Sequence, residues 1–150
     1  MADLADLYQQ VILDHNRNPR NFGPLAGATG QAQGHNPLCG DHVTVYARVS
    51  GPTVEDVAFQ GSGCAISKAA ASLMTTLVKG KSAADVESLA TRFHSMVTSD
   101  PATQIDTTDL GKLAAFAGVR AFPMRVKCAT LPWHALRAAI RGTGEPVSTE

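Results

Sequence analysis

Residues 39–64 read CGDHVTVYARVSGPTVEDVAFQGSGC, and their pattern predicts two neighbouring strands. From Asp41 onward, apolar and polar residues alternate, which is the period-two pattern of a half-buried strand. A turn signal follows at Ser50-Gly51-Pro52, and residues 54–60 are typical of a second strand. The pattern predicts an antiparallel hairpin whose open end brings together the two ends of the quoted stretch.

Helical periodicity dominates the rest of the chain. It predicts helices that end near Arg17, cover residues 65–78, reach about Thr98, cover residues 107–117 and run from about Ala129 to Arg141. Residues 16–34 show neither the helical nor the period-two pattern and are predicted to form a loop. Because strands come early and helices late, the expected class is α+β, with a small antiparallel β-sheet and helices packed on one face.

Length and charge limit what the protein can be. The 150 residues suit one domain, predicted at 1–142, and residues 143–150 lack periodicity and are expected to be a disordered tail. Thirteen basic and thirteen acidic residues cancel, so no broad field favours nucleic acid or a membrane as partner. The first residues resemble no export signal, and no run of about 18 apolar residues occurs. We therefore expect a cytoplasmic protein.

The chain contains only three cysteines: Cys39, Cys64 and Cys128. An odd number without an export signal argues against a disulfide framework and favours metal or thiol chemistry. Asp41 follows Cys39 closely, and three thiolates with one carboxylate make a complete tetrahedral ligand set for Zn²⁺. Cys64 and Cys128 are each predicted to precede a helix, where the positive end of the helix dipole favours the thiolate.

Alternatives to a metal site remain at this point. No Cys-x-x-Cys pair is present, which excludes zinc fingers and thioredoxin-like motifs, and three unrelated buried cysteines are an alternative. Asp41 is also a residue type that caps turns. The five histidines form no pair with ligand spacing, so His42 and His134 are interpreted as structural or exposed.

Several longer motifs resemble the IscU/SufU family of iron–sulfur cluster assembly proteins. They are LYQQVILDHNRNPRN at 7–21, NPLCGD at 36–41 and GSGCAIS at 61–67. The segment RVKCATLPW at 125–133 is similar to the SufU branch, whereas the IscU branch has a histidine where this chain has Lys127. The Leu-Pro-Pro-Val-Lys motif of that other branch is also absent from the sequence.

The resemblance implies a zinc-dependent sulfurtransferase. It implies Zn²⁺ held by Cys39, Asp41, Cys64 and Cys128, with Cys39 as the sulfur acceptor that must leave the metal to react. The implied partners are a PLP-dependent SufS-type cysteine desulfurase, which donates persulfide sulfur, and SufBCD-type machinery, which receives it. Arg125 is implied as a second catalytic residue that steers the persulfide, although a lone arginine is more often solvated.

Two other functions stay open on the sequence. Thiolate-rich sites also hold iron–sulfur clusters, so a scaffold that assembles a [2Fe–2S] cluster on the same ligands is the main alternative. A non-catalytic adaptor stabilised by zinc is the other. Lys127 in place of histidine favours sulfur transfer over the scaffold. Lys127 could also supply positive charge beside the metal ligand Cys128, although lysines are exposed by default.

Overall fold

The computed structural model describes residues 4–37, 40–104, 110–142 and 147–148. In chain order the elements are α1 (Leu4–Arg17), β1 (Gly30–Asn36), β2 (Asp41–Ser50), β3 (Thr53–Ser62), α2 (Ala65–Val78), α3 (Ala83–Thr98), a 3₁₀ helix (Gly111–Ala121), α4 (Pro123–Arg141) and β4 (Val147–Ser148). Within these residues, no helix is both long and apolar enough to cross a membrane.

The sheet has the order β3-β2-β1-β4. Strand β2 pairs antiparallel with both β1 and β3, and the short β4 pairs parallel with β1. The predicted hairpin of β2 and β3 is confirmed, and its register places His42 opposite Ser62. Consequently the start of β2 and the end of β3, which precedes α2, lie at the same edge of the molecule.

The predicted α+β class, with helices on one face of an antiparallel sheet, is confirmed. Val43, Val45 and Ala47 of β2 are buried, while the alternate side chains are exposed or half-buried. Helix α4 packs on β1 and β2, helix α2 packs on α4 and β3, and α1 packs on α2. The core therefore lies between the sheet and the pair α2 and α4.

Strand β1 was wrongly predicted as loop. Its sequence GQAQGHN has no apolar alternation, because two of its residues are glycines that face helix α4 closely. A Cβ added at Gly30 would overlap the carbonyl oxygen of Ala139, and one at Gly34 would lie 2.9 Å from Cδ1 of Leu131. The close approach of helix α4 explains the two glycines, and the glycines explain why the strand lacks an alternating apolar pattern.

The last helices also differ from the prediction. Helix α4 begins at Pro123 rather than near Ala129, since proline is compatible with the first turn of a helix. Cys128 thus lies inside α4 and does not precede it, which corrects the expectation above. The helix predicted at 107–117 appears as the 3₁₀ helix, and residues 105–109 lie outside the described part.

The predicted tail is described in only two residues. Val147 and Ser148 form β4 against β1, where the sequence predicted disorder. Residues 143–146 and 149–150 lie outside the described part of the chain.

A polar contact fixes α1 against α2. His15 is 4% exposed, and its Nδ1 lies 2.7 Å from Oγ of Ser72, which also accepts the backbone N–H of Arg20 at 2.8 Å. Burial lowers the pKa of His15, and the charge of Arg20 lowers it further. Burial and the nearby positive charge therefore favour the neutral form of His15 in the folded protein.

Candidate metal centre

Three of the four predicted ligands converge. The carboxylate of Asp41 and the sulfurs of Cys64 and Cys128 offer ligand atoms that all lie within 4.8 Å of one another. Asp41 is fully buried, Cys128 is 3% exposed and Cys64 is half-buried. The fourth predicted ligand, Cys39, lies outside the described residues, so its place stays a prediction.

Asp41 is held by the backbone of the segment that carries Cys64. The N–H of Cys64 donates to Oδ1 of Asp41 at 2.8 Å, while Oδ2 lies 3.8 Å from the Cys64 sulfur. Strand pairing explains this approach, because Asp41 starts β2 next to the end of β3. One carboxylate oxygen is thus occupied by the protein and the other faces the sulfur.

Cys64 caps the N-terminus of helix α2. Its backbone is extended, with φ −74° and ψ 166°, and its sulfur accepts the N–H of Ser67 at 3.4 Å. This confirms that Cys64 opens a helix. An N–H donor at a helix N-terminus stabilises negative charge on the sulfur, as the chemistry of a metal-binding thiolate requires.

Cys128 reaches the site from the second turn of α4, next to β1. The side-chain amide of Asn36, a fully buried residue, donates to the Cys128 sulfur at 3.9 Å. The carbonyl oxygen of Asn36 also accepts the N–H of Gly40 at 2.8 Å. Asn36 therefore touches one cysteine and is hydrogen-bonded to Gly40, which follows another in sequence. Sequence reasoning missed this role, for which Asn36 carries no signal beyond its place in the motif NPLCGD.

The donor set fits zinc. With Zn–S near 2.3 Å and Zn–O near 2.0 Å, a tetrahedral ion separates a sulfur from an oxygen ligand by about 3.5 Å. The 3.8 Å between the Cys64 sulfur and Oδ2 of Asp41 is close to that value. Three acidic groups crowded at a largely buried place also repel one another once ionised, and a divalent cation removes that repulsion.

Arg125 lies beside a groove rather than on the ligands. The groove has a volume of about 770 Å³ and lies between α1, the start of α2 and the 3₁₀ helix, with both Cys64 and Arg125 among its lining residues. The Arg125 guanidinium sits 4.4 Å from the ring centre of Phe122. Among the residues that the structure describes, no carboxylate lies within ion-pair distance of Arg125. Lys127 is half-buried on the same helix.

The histidines add no ligand to this cluster within the described part of the chain. His42 is exposed and stacks on His35 with ring centres 4.1 Å apart. His134 is half-buried on α4, 6.0 Å from the ring of His94, and burial lowers its pKa, with the charge of His94 contributing. The interpretation of His42 and His134 as exposed and structural agrees with these positions.

Comparison with known proteins places the chain in one group. Residues 7–129 match the family model described as the NifU-like N terminal domain. The chain is 42% identical to the zinc-dependent sulfurtransferase SufU of Bacillus subtilis over 93% of this chain and 92% of the relative. It is 40% identical to the iron–sulfur cluster assembly scaffold protein IscU of Streptococcus pyogenes over 94% of this chain and 87% of the relative.

A solved structure shows the same fold. The N-terminal part of a nitrogen-fixing NifU-like protein from Brucella abortus is 27% identical and superimposes with a TM-score of 0.80. The match covers 93% of this chain and 95% of that structure.

Proposed function

Since the chain belongs to the NifU-like N-terminal domain family, whose relatives act in iron–sulfur cluster assembly, we propose that it is a zinc-dependent sulfurtransferase. The observation that carries the proposal is the convergence of Asp41, Cys64 and Cys128, since Asp41 lies only two positions after Cys39 in the sequence. The relative named as a zinc-dependent sulfurtransferase matches nearly the whole chain, which supports the same chemistry here.

The proposed zinc ligands are Cys39, Asp41, Cys64 and Cys128. When bound, zinc keeps cysteine thiols deprotonated and takes no part in redox chemistry. The chain's own residues supply the rest. Backbone N–H groups of Cys64 and Ser67 hold the Asp41 carboxylate and the Cys64 sulfur, and the Asn36 amide contacts the Cys128 sulfur. These contacts favour three fixed ligands, which leaves Cys39 as the ligand that reacts.

In the proposed reaction, the Cys39 thiolate attacks the terminal sulfur of a persulfide on the donor protein. A new S–S bond forms at Cys39 while the S–S bond of the donor breaks, and the donor cysteine leaves as a thiolate. The sulfane sulfur moves from one cysteine to the other, so no external oxidant or reductant is needed. The donor is a SufS-type cysteine desulfurase, the acceptor is a SufBCD-type scaffold, and the proposed compartment is the cytoplasm, where thiols stay reduced.

Arg125 has a supporting role in this proposal. Its exposed guanidinium lines the groove that reaches Cys64, so it can attract the persulfide anion as the donor approaches. Arg125→Ala should raise the KM for the desulfurase without changing zinc content, and Arg17→Ala, which removes an exposed arginine on α1, is the control. Equal kinetics in the two variants would remove Arg125 from the mechanism.

The main test is transfer of sulfur to Cys39. Incubation with a SufS-type desulfurase and cysteine, followed by alkylation and mass spectrometry, should place a persulfide on Cys39. Cys39→Ala should fold, as judged by circular dichroism, and accept no sulfur, whereas Pro37→Ala in the same loop should still accept it. Persulfide formation elsewhere in the wild type, with none on Cys39, would contradict the assignment.

A cluster scaffold is the second candidate. It is favoured by the relative from Streptococcus pyogenes, which is named as a scaffold and is almost as similar as the sulfurtransferase. The same three converging ligands could hold a [2Fe–2S] cluster. Anaerobic purification that yields iron and sulfide in equal amounts would support this candidate over zinc.

A further inference from the structure

We propose that Gly63 is a positioning residue that leaves room for the Asp41 carboxylate and so keeps Asp41 in place as a metal ligand. The inference rests on the proposed function only in assuming that Asp41 is a metal ligand. It concerns a residue without a side chain, and what matters is the space that the missing side chain leaves.

The backbone does not require glycine at position 63. Its φ lies outside the range from +20° to +160° that L residues rarely adopt, in contrast to Gly61, which has φ +150°. Gly63 is also exposed, so it does not fill a tightly packed core. Neither conformation nor core packing therefore explains the glycine.

The Asp41 carboxylate explains it. A Cβ added at Gly63 would overlap Oδ1 of Asp41 and would lie 2.9 Å from its Cγ and 3.2 Å from its Cβ. All three of the nearest atoms belong to Asp41. Gly63 thus leaves open the space in which this one carboxylate sits.

The position of the carboxylate assigns different roles to its two oxygens. In the space above Gly63, Oδ1 accepts the N–H of Cys64 at 2.8 Å, so the protein already holds this oxygen. Oδ2 is the oxygen 3.8 Å from the Cys64 sulfur. Because Asp41 is 0% exposed, the carboxylate cannot rotate out into solvent to change this arrangement. The carboxylate is thus held beside the Cys64 sulfur, where both residues would contact the metal.

The consequence is a specific loss of zinc affinity in Gly63→Ala. The added methyl group must displace the Asp41 carboxylate. This displacement breaks the hydrogen bond from the Cys64 N–H to Oδ1 and moves Oδ2. Residues that orient metal ligands typically contribute ten- to hundredfold to affinity. We expect Gly63→Ala to weaken zinc binding about tenfold.

The test is a double-mutant cycle read out by zinc affinity. Wild type, Gly63→Ala, Asp41→Ala and the double variant are titrated with Zn²⁺ against a chromophoric chelator. Gly118→Ala is the matched control, because Gly118 has no positive φ and no atom within 4 Å of an added Cβ. Urea unfolding of each metal-free variant measures folding separately.

The inference predicts that Gly63→Ala weakens zinc binding in the wild-type background and does so far less once Asp41 is alanine, because the carboxylate is then gone and only the Cβ of residue 41, 3.2 Å from the added Cβ, remains. Equal losses in both backgrounds, or no loss in either, would overturn it. Should Gly63→Ala fail to fold, the double variant should fold again, and failure of that rescue would also overturn it. A wild type that binds no Zn²⁺ would instead refute the proposed metal site.

Discussion

Two glycine-containing segments enter the metal centre, and they are packed very differently. At the end of β3, a Cβ at Gly61 would overlap the carbonyl oxygen of His42, and one at Gly63 would overlap the Asp41 carboxylate. Just before β2, Gly40 is exposed, and no atom of the described residues lies within 4 Å of a Cβ added there. The segment that presents Cys64 is therefore enclosed by its neighbours, whereas the residue next to Cys39 has open space around it.

This difference suits a site with fixed and reactive ligands. Close packing of residues 61–64 against β2 holds Cys64 and Asp41 in one arrangement. Gly40 is tied only through its N–H to Asn36, among the contacts of the described residues. We infer that the enclosed side keeps the metal while the open side supplies the thiolate that accepts sulfur.

The largest expected effect is on the enclosed side, at Gly61. Gly61→Ala adds both an overlap with the His42 backbone and a side chain at φ +150°, so unfolding of the metal-free protein should become about 2–4 kcal/mol easier. Urea unfolding measures this. A change below about 0.5 kcal/mol, the range of ordinary surface substitutions, would mean that the segment is not enclosed.

Asp41→Ala should follow in size. It removes a proposed ligand and leaves the Cys64 N–H without its acceptor, so zinc affinity should fall about a hundredfold, or about 2.7 kcal/mol. Asp14→Ala is the control, since Asp14 is an exposed acid paired with Arg20 and should leave zinc affinity unchanged. Equal zinc affinity in Asp41→Ala and the wild type would mean that Asp41 caps a turn and is not a metal ligand.

The contact of α1 with α2 gives an intermediate effect that is independent of the metal. The pKa of His15 is lowered in the folded protein, so as pH falls below the ordinary value of about 6.5 the unfolded chain binds the proton first. The stability from neutral His15 is complete above that pH and is lost below it, by at most about 1.4 kcal/mol per pH unit.

His15→Gln measures this contribution. Urea unfolding of the metal-free protein at pH 7.5 and at pH 5.5 should show a larger loss in the wild type than in His15→Gln. Arg20, Asp14 and Lys112 are the charged groups that influence His15, and they are the same in both proteins. Identical losses would show that His15 does not titrate with folding.

The smallest effect belongs to the open side. The methyl group of Gly40→Ala contacts no atom of the described residues. The variant should therefore lose only the stability that alanine costs at φ +75°, about 1 kcal/mol. Zinc affinity should stay within about twofold of the wild type. This change is small beside a tenfold loss, which corresponds to about 1.4 kcal/mol. A loss as large as that of Gly61→Ala would erase the difference between the two segments.

Sequence reasoning found the elements that have a strong period and missed those that depend on packing. Alternation in β2 and the apolar stripe of α2 predicted both elements, and the residues 65–78 match the observed helix. Strand β1 escaped because its glycines serve the approach of α4, which no local pattern reveals. The start of α4 was missed, although Pro123 suits the first turn of a helix.

The metal centre shows the same contrast between residues that the sequence indicates and groups that only packing reveals. Residue types that bind metals are visible in the sequence, so Asp41, Cys64 and Cys128 could be named before their convergence was known. The groups that orient them are a backbone N–H, an asparagine amide and the space at Gly63. None of these differs in sequence from an ordinary loop residue, and only the folded chain shows what each one touches.

Metal content measured together with desulfurase turnover distinguishes the zinc sulfurtransferase from the cluster scaffold. Protein purified without added metal should contain one zinc per chain and should strongly stimulate a SufS-type cysteine desulfurase, with the stimulation lost in Cys39→Ala. Iron and sulfide in comparable amounts, with no stimulation of the desulfurase, would contradict the sulfurtransferase account and favour the cluster scaffold.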